Sequence, residues 1–311
     1  MKKYNLVYKI LLILFGFSFG IISTQIIPYK LKIQVSNTKS KFINFFEKKD
    51  PYSCLPELTK EIPENSTIII GHAYGDNYDK YGYRLPDSNY LPKSISSFLF
   101  KNKLKIDTTI FTGDVFNIPS TKKWEELYNL YSAYFKIIIS PGNHDVGGHP
   151  DGGKQDSSQN DVFLKVVGAK QNLEMPYLFN NGFTKLVIDN SNKKNNNLNQ
   201  IMKILKDEKI FDNVLVLRHH SNIEATNSSK KKISANNYSM KNFINSPSKI
   251  NYFEKQFKEF GKVYMIYGNS RNTKCYKHKN ITHIWSGIGL KNTDTVLLIS
   301  NGVLYRYKIG I

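Results

Sequence analysis

Cysteine, tryptophan, arginine and long hydrophobic runs are all scarce in this chain of 311 residues. The two cysteines, Cys54 and Cys275, cannot build a cysteine-rich scaffold, and neither belongs to a closely spaced metal-binding pair. One disulfide in an oxidising compartment and two unpaired thiols are both open, because sequence spacing does not say whether the thiols meet. Acidic residues number 25 against 44 basic ones, for a formal charge of +19. Such an excess suggests nucleic acid or an anionic surface as partner. Here, however, it is lysine scattered among Asn and Ile, and base and phosphate recognition leans on arginine forks. A nucleic-acid groove is therefore not expected. The densest basic run, Lys230-Lys231-Lys232, sits in a Ser/Asn-rich stretch and reads as a solvated loop. The sequence has no internal repeat.

The uncharged run from Ile10 to Ile27 is long enough to cross a bilayer core. Lys2, Lys3 and Lys9 precede it, and no small-x-small cleavage pattern follows it, so an uncleaved single-pass anchor is expected rather than a signal peptide. Lys30, Lys32, Lys39 and Lys41 offset the basic residues in front. The short N-terminus and long trailing domain resemble a signal anchor, which puts the rest of the chain outside the cytoplasm. Residues 28–62 are lysine-rich and interrupted by Pro51 and Pro56, with Pro63 just after, and read as a stalk. The expected organisation is thus an anchor over 1–27, a linker over 28–62 and a folded domain over 63–311.

Within that domain, short apolar runs rich in β-branched residues recur at Thr67–Ile70, Ile106–Phe111, Phe135–Ile139, Lys185–Ile188, Val214–Leu217, Val263–Tyr267 and Ile281–Trp285. They predict strands buried on both faces. Trp124–Phe135 and Leu198–Glu208 carry helical stripes between them. Asp294–Ile309 alternates and turns at Asn301-Gly302, a hairpin signal. The class is α/β, with a more β-rich end. Asn222–Ser248 lacks periodicity and reads as a surface excursion.

Several strands end in polar clusters: Gly71-His72-Ala73-Tyr74, Gly113-Asp114-Val115-Phe116-Asn117, Gly142-Asn143-His144-Asp145, His219-His220-Ser221 and Gly268-Asn269-Ser270-Arg271. In an α/β sheet, sites assemble at the carboxyl ends of strands, and carboxylate, amide oxygen and imidazole together suit divalent ions. The ordered set, over Thr67–Gly289, resembles the calcineurin-like metallophosphoesterase superfamily. Gly113-Asp114-x-x-Asn117 and Gly142-Asn143-His144-Asp145 match its blocks outright, and His219 matches the fourth. The resemblance implies a four-layer αββα sandwich.

It also implies a phosphoester hydrolase acting on mono- or diesters by direct attack of a metal-bound hydroxide, with His144 as general acid, oriented by Asp145. Two blocks depart from the pattern. His72-Ala73-Tyr74 stands where the family has Asp-x-His, and Gly268-Asn269-Ser270-Arg271 replaces Gly-His-x-His. One ion is expected, held by Asp114, Asn143, His219 and the amide of Asn269, with His72 able to add a nitrogen. Mn, Fe or Zn suits that set ahead of Mg. Arg271 cannot ligate a cation and would instead neutralise a phosphate oxygen. Phosphorylated substrates related to the envelope or to polysaccharide follow from the expected membrane location alone. The altered blocks also suit a second reading, a catalytically reduced binding or assembly protein at the membrane.

Overall fold

The computed structural model describes residues 54–74, 91–147, 157–181, 184–192, 198–210, 212–221, 243–244, 246–270, 273–288 and 294–309. The first half of the chain supplies β1 (Ser66–Ile70), α1 (Lys93–Asn102), β2 (Ile106–Phe111), α2 (Thr121–Tyr131), β3 (Lys136–Ile139), α3 (Ser157–Val166), β4 (Tyr177–Asn181) and β5 (Thr184–Ile188). The second half supplies α4 (Leu198–Asp207), β6 (Val214–Arg218), α5 (Pro247–Phe257), β7 (Val263–Tyr267), β8 (Lys274–His278), β9 (Ile281–Trp285), β10 (Thr295–Ser300) and β11 (Val303–Lys308). The strands form two sheets, in the orders β11-β10-β1-β2-β3 and β4-β5-β6-β7-β9-β8. β1, β2 and β3 are parallel, as are β5, β6, β7 and β9.

Successive residues of a strand point to opposite faces, so a strand apolar throughout serves two cores. Ile69, Ile110, Ile138 and Leu297 of the first sheet meet Ile188, Leu217, Ile266 and Ile284 of the second in one cluster between the sheets. Their neighbours Ile68, Ile70, Phe111, Ile137 and Ile139 turn the other way and pack with Ile95 and Leu99 of α1, Trp124 and Leu127 of α2 and Phe163 of α3. On the second sheet, Val187, Val214, Val216, Val263 and Met265 pack with Leu198, Ile201, Met202 and Leu205 of α4 and Phe253 and Phe257 of α5. Helices therefore cover the outer face of each sheet, and this mixed α/β arrangement agrees with the layering that the resemblance implies.

The apolar runs read from sequence all become strands. The hairpin turns where expected, with positive φ at both Asn301 (50°) and Gly302 (73°) and Ser300 paired with Val303. α2 starts earlier than the stripe indicates, because the Ser120 side chain accepts from the Lys123 N–H and caps it. It also stops at Tyr131, and the chain turns before Phe135. α1, α3, β4 and β8 carry no strong periodicity in the sequence, and α5, not singled out in the sequence, begins where the stretch read as surface excursion ends, with Pro247 in its first turn.

Cys54 and Cys275 form a disulfide, with Cα atoms 6.3 Å apart, which settles the thiol question left open by spacing. Glu57 bridges to Arg306 of β11, and Leu58 N–H donates to the Arg306 carbonyl (2.9 Å). Residues 54–58 thus lie along one edge of the fold. The run Ile10–Ile27 falls outside the described residues. Among the described residues no helix is long and apolar enough to cross a membrane.

Candidate metal centre

The candidate residues stand on loops that leave the carboxyl tips of β1, β2, β3, β6 and β7. The tips interlock because glycine lets backbone meet backbone. Gly113 has a φ of 88°, and a Cβ there would collide with the His219 ring and with Gly142. A Cβ on Gly268 would drive into the Thr112 carbonyl. The two sheets are joined at this end, and side chains from both converge.

Asp114 is the centre. It follows β2 in a left-handed conformation (φ 54°) that is strained for a residue with a Cβ, and it is 2% exposed. Its Oδ1 accepts the His144 N–H (3.2 Å), and its Oδ2 lies 3.3 Å from His219 Nε2. Burial works against its charge, but the imidazoles of His219, His144 and His72 hold the carboxyl well below its ordinary range. His219 in turn has Nδ1 on the Thr112 carbonyl (2.9 Å). Nδ1 therefore carries a hydrogen, and Nε2, a lone pair in the neutral ring and an N–H in the charged one, faces the Asp114 carboxylate. A lone pair facing a carboxylate oxygen at that range requires a cation or a proton between them. Burial opposes charge on His219, yet Asp114 beside it raises its pKa.

Asn143 is half-buried in the turn after β3, between Gly142 and His144. The N–H of Gly142 donates to Asp145 Oδ2 (2.8 Å), and that of His144 is the one taken by Asp114. Asp145 does not orient His144 as expected from the resemblance. It is fully buried, and its two oxygens also accept the N–H groups of Asp114 (2.8 Å) and Val115 (3.0 Å), so it pins the β2 and β3 loops together. Burial and the neighbouring Asp114 charge push it up to about 6, while the Gly142 and Val115 donors pull the other way. The His144 ring is held instead by the Asn117 carbonyl at Nδ1 (2.9 Å). Its Nε2 lies 3.5 Å from the Tyr74 hydroxyl.

His72 also has a positive φ (46°) and is buried, with Nδ1 lacking a hydrogen-bond partner. Burial lowers its pKa to about 4, so the ring is neutral near pH 7 and able to ligate. Its ring lies 4.3 Å from that of Tyr74, which lies 5.2 Å from that of His144. Asn269 donates its N–H to the His219 carbonyl (2.9 Å), and its amide nitrogen is 3.3 Å from Nδ1 of buried His220. Burial drives His220 well below the ordinary histidine value. Beneath His219, the Arg218 Nε lies 3.4 Å from Asp189 Oδ2, both residues being buried. Arg271 lies outside the described residues.

Asp114, His219, His144, Asn143 and His72 are thus assembled at one end of the sheets, with Asn269 linked through His219 and His220. Among the described residues no group of three or more His, Cys, Asp or Glu side chains has metal-holding spacing, so a cation there would draw on amide oxygen as well. The sequence does not single out the carbonyls of Thr112 and Asn117, since every residue carries one. Tyr74, which in a chain with 20 Tyr and 19 Phe reads from sequence as packing with a phenol able to donate to phosphate, stands beside the His144 ring.

A family profile described as calcineurin-like phosphoesterase matches residues 90–252, more than half of the chain. That span holds Asp114, Asn143, His144 and His219, whereas His72 and Asn269 fall outside it. No curated protein gives a significant sequence match. Among solved structures, a purple acid phosphatase from yellow lupin is 10% identical (TM-score 0.43), covering 78% of this chain and 53% of its own. This chain therefore spans about half the length of that phosphatase. A predicted phosphoesterase from Streptococcus pneumoniae is 9% identical (TM-score 0.30; 77% and 86%). GAP50, described as the anchor in the inner membrane complex of Plasmodium, is 13% identical (TM-score 0.39; 79% and 89%).

Proposed function

As the chain belongs to the calcineurin-like phosphoesterase family, we propose that it hydrolyses phosphate mono- or diesters at the strand-tip site, using one divalent ion. The observation that carries this reading is the approach of Asp114 Oδ2 to His219 Nε2 at 3.3 Å, with His219 Nδ1 held on the Thr112 carbonyl, the spacing of two atoms that share an ion at about 2.1 Å from each. Asp114 and His219 would hold the ion, joined by the amides of Asn143 and Asn269, with the neutral ring of His72 near enough to Asp114 to add a nitrogen if it moves in. When bound, the ion supplies Lewis-acid polarisation of the phosphoryl group and a water of lowered pKa. The mixed oxygen and nitrogen set suits Mn, Fe or Zn.

The protein's own groups do the rest. His144 keeps its Nδ1 on the Asn117 carbonyl, which fixes the ring and directs Nε2 outward to donate a proton to the leaving oxygen. Tyr74 stands beside that nitrogen and can donate to a phosphate oxygen. Arg271 would neutralise the charge that a second ion neutralises elsewhere in the family. The disulfide supports an extracytoplasmic domain, which fits an N-terminal anchor and envelope-related or polysaccharide-related phosphates as substrates.

The reading is tested by hydrolysis of a chromogenic phosphomonoester and phosphodiester with Mn, Fe or Zn, comparing wild type with Asn143→Ala. Equal rates in the two proteins, or none in either with any metal, would overturn it. Metal analysis should give about one ion per chain, and two tightly held ions would contradict the single-ion site. A second reading, a catalytically reduced binding protein, is favoured by the His72–Tyr74–His144 ring cluster, which gathers rings beside Asp114 where the family places carboxylate and imidazole ligands. Tight metal binding without turnover of any phosphoester would select it.

A further inference from the structure

The end of the first sheet opposite the site carries an unusual surface. Phe100 near the end of α1 is 63% exposed, Leu104 just after it 84%, and Tyr134 in the turn after α2 43%. Lys103 joins two of them. Lys103 Nζ lies 4.1 Å from the centre of the Phe100 ring and 4.3 Å from that of Tyr134, and it donates to the Tyr134 hydroxyl (3.2 Å). One cation therefore gathers both rings into a single patch, flanked in sequence by exposed Lys101, whereas the Lys136 ammonium lies over the Phe179 ring of β4 (4.6 Å). The nearby carboxylate of Glu61 is engaged by Lys105 (2.6 Å).

We infer that this patch docks the domain on an anionic lipid surface. Apolar and aromatic side chains enter the headgroup region while lysine stems lie along it and their ammonium groups meet lipid phosphates. Charge complementarity commits the face to anionic lipid, because Lys103 and exposed Lys101 stand beside its rings. The placement agrees. The patch adjoins the amino ends of β2 and β3, and Ser66 at the start of β1 donates its N–H to the Lys105 carbonyl (3.0 Å). The candidate metal centre leaves the opposite ends of the same parallel strands, about 20 Å away for a six-residue strand. Docking by the patch thus presents the site away from the bilayer. The inference does not depend on what the site hydrolyses.

The test is a fluorophore at the patch in the full chain, so that insertion of any other segment does not register. Leu104→Trp tolerates an indole because the position is exposed, and the chain's own Trp124 and Trp285 are buried, so the wild type sets the background. With vesicles containing brominated lipid, emission from position 104 should be quenched when phosphatidylglycerol is present and not in phosphatidylcholine alone. Adding K101Q and K103Q should weaken that quenching on the order of 30-fold in lipid concentration. No quenching with either lipid, or equal quenching with both, would overturn the inference. So would a blue shift that grows with protein concentration without vesicles, which would assign the face to a second copy of the chain.

Discussion

Asp114 makes the sharpest claim at the level of single residues, because one buried carboxylate is shared by His219, by the His144 backbone and by the proposed ion. Asp114→Ala should abolish metal binding measured by calorimetry and lower kcat/KM by about 10² or more. Tyr74→Phe keeps the ring cluster and removes only the hydroxyl near His144, so kcat should fall several-fold while metal binding stays intact. A change in metal stoichiometry would place Tyr74 among the ligands instead. His283 gives a prediction away from the site. Buried against Phe243 and Phe253, with Nδ1 on the Tyr267 hydroxyl (2.9 Å), it is held neutral, and burial lowers its pKa from 6.5 to about 3. The unfolded chain takes up this proton first. The associated stability is complete above pH 6.5 and is lost as pH falls toward 3, by up to about 1.4 kcal/mol per pH unit. Urea midpoints between pH 7 and 4 should fall less steeply in His283→Gln than in the wild type.

Two glycines separate steric from conformational cost among the elements. Gly268 follows β7 with the Thr112 carbonyl where a Cβ would go, so Gly268→Ala must push apart the tips of β2 and β7. A loss of roughly 2–4 kcal/mol in unfolding free energy is expected, with weakened metal binding. Gly302 in the β10–β11 turn has open space around it and a φ of 73°. Gly302→Ala should therefore cost only about 1 kcal/mol and leave the site alone. The same contrast shows what the sequence discloses. Strands such as Ile68–Ile70 or Val214–Leu217 were legible because apolarity on both faces needs no partner to be recognised. α1 and α5 were not, since their apolar residues are few and gain meaning only against the sheets. At the site, Asp114, Asn143, His144 and His219 were singled out through the resemblance of their blocks to the family's. The true partner of Asp145 was not, because backbone N–H groups leave no mark in a sequence.

For the molecule as a whole, the Cys54–Cys275 bond closes a loop of 221 residues. The chain-entropy account puts its contribution at about 5 kcal/mol, so reduction should lower the thermal midpoint by many degrees, and Cys54→Ala/Cys275→Ala should reproduce that loss without reductant. A further effect follows from where the bond lies. Cys275 belongs to β8 and Arg306 to β11, the last strand of one sheet and the first of the other, and residues 54–58 touch both. Those residues occupy backbone groups that an outer strand otherwise offers to any passing chain. Losing the bond therefore uncovers a template for strand addition, and the reduced protein should fail by forming β-rich aggregates before it unfolds fully.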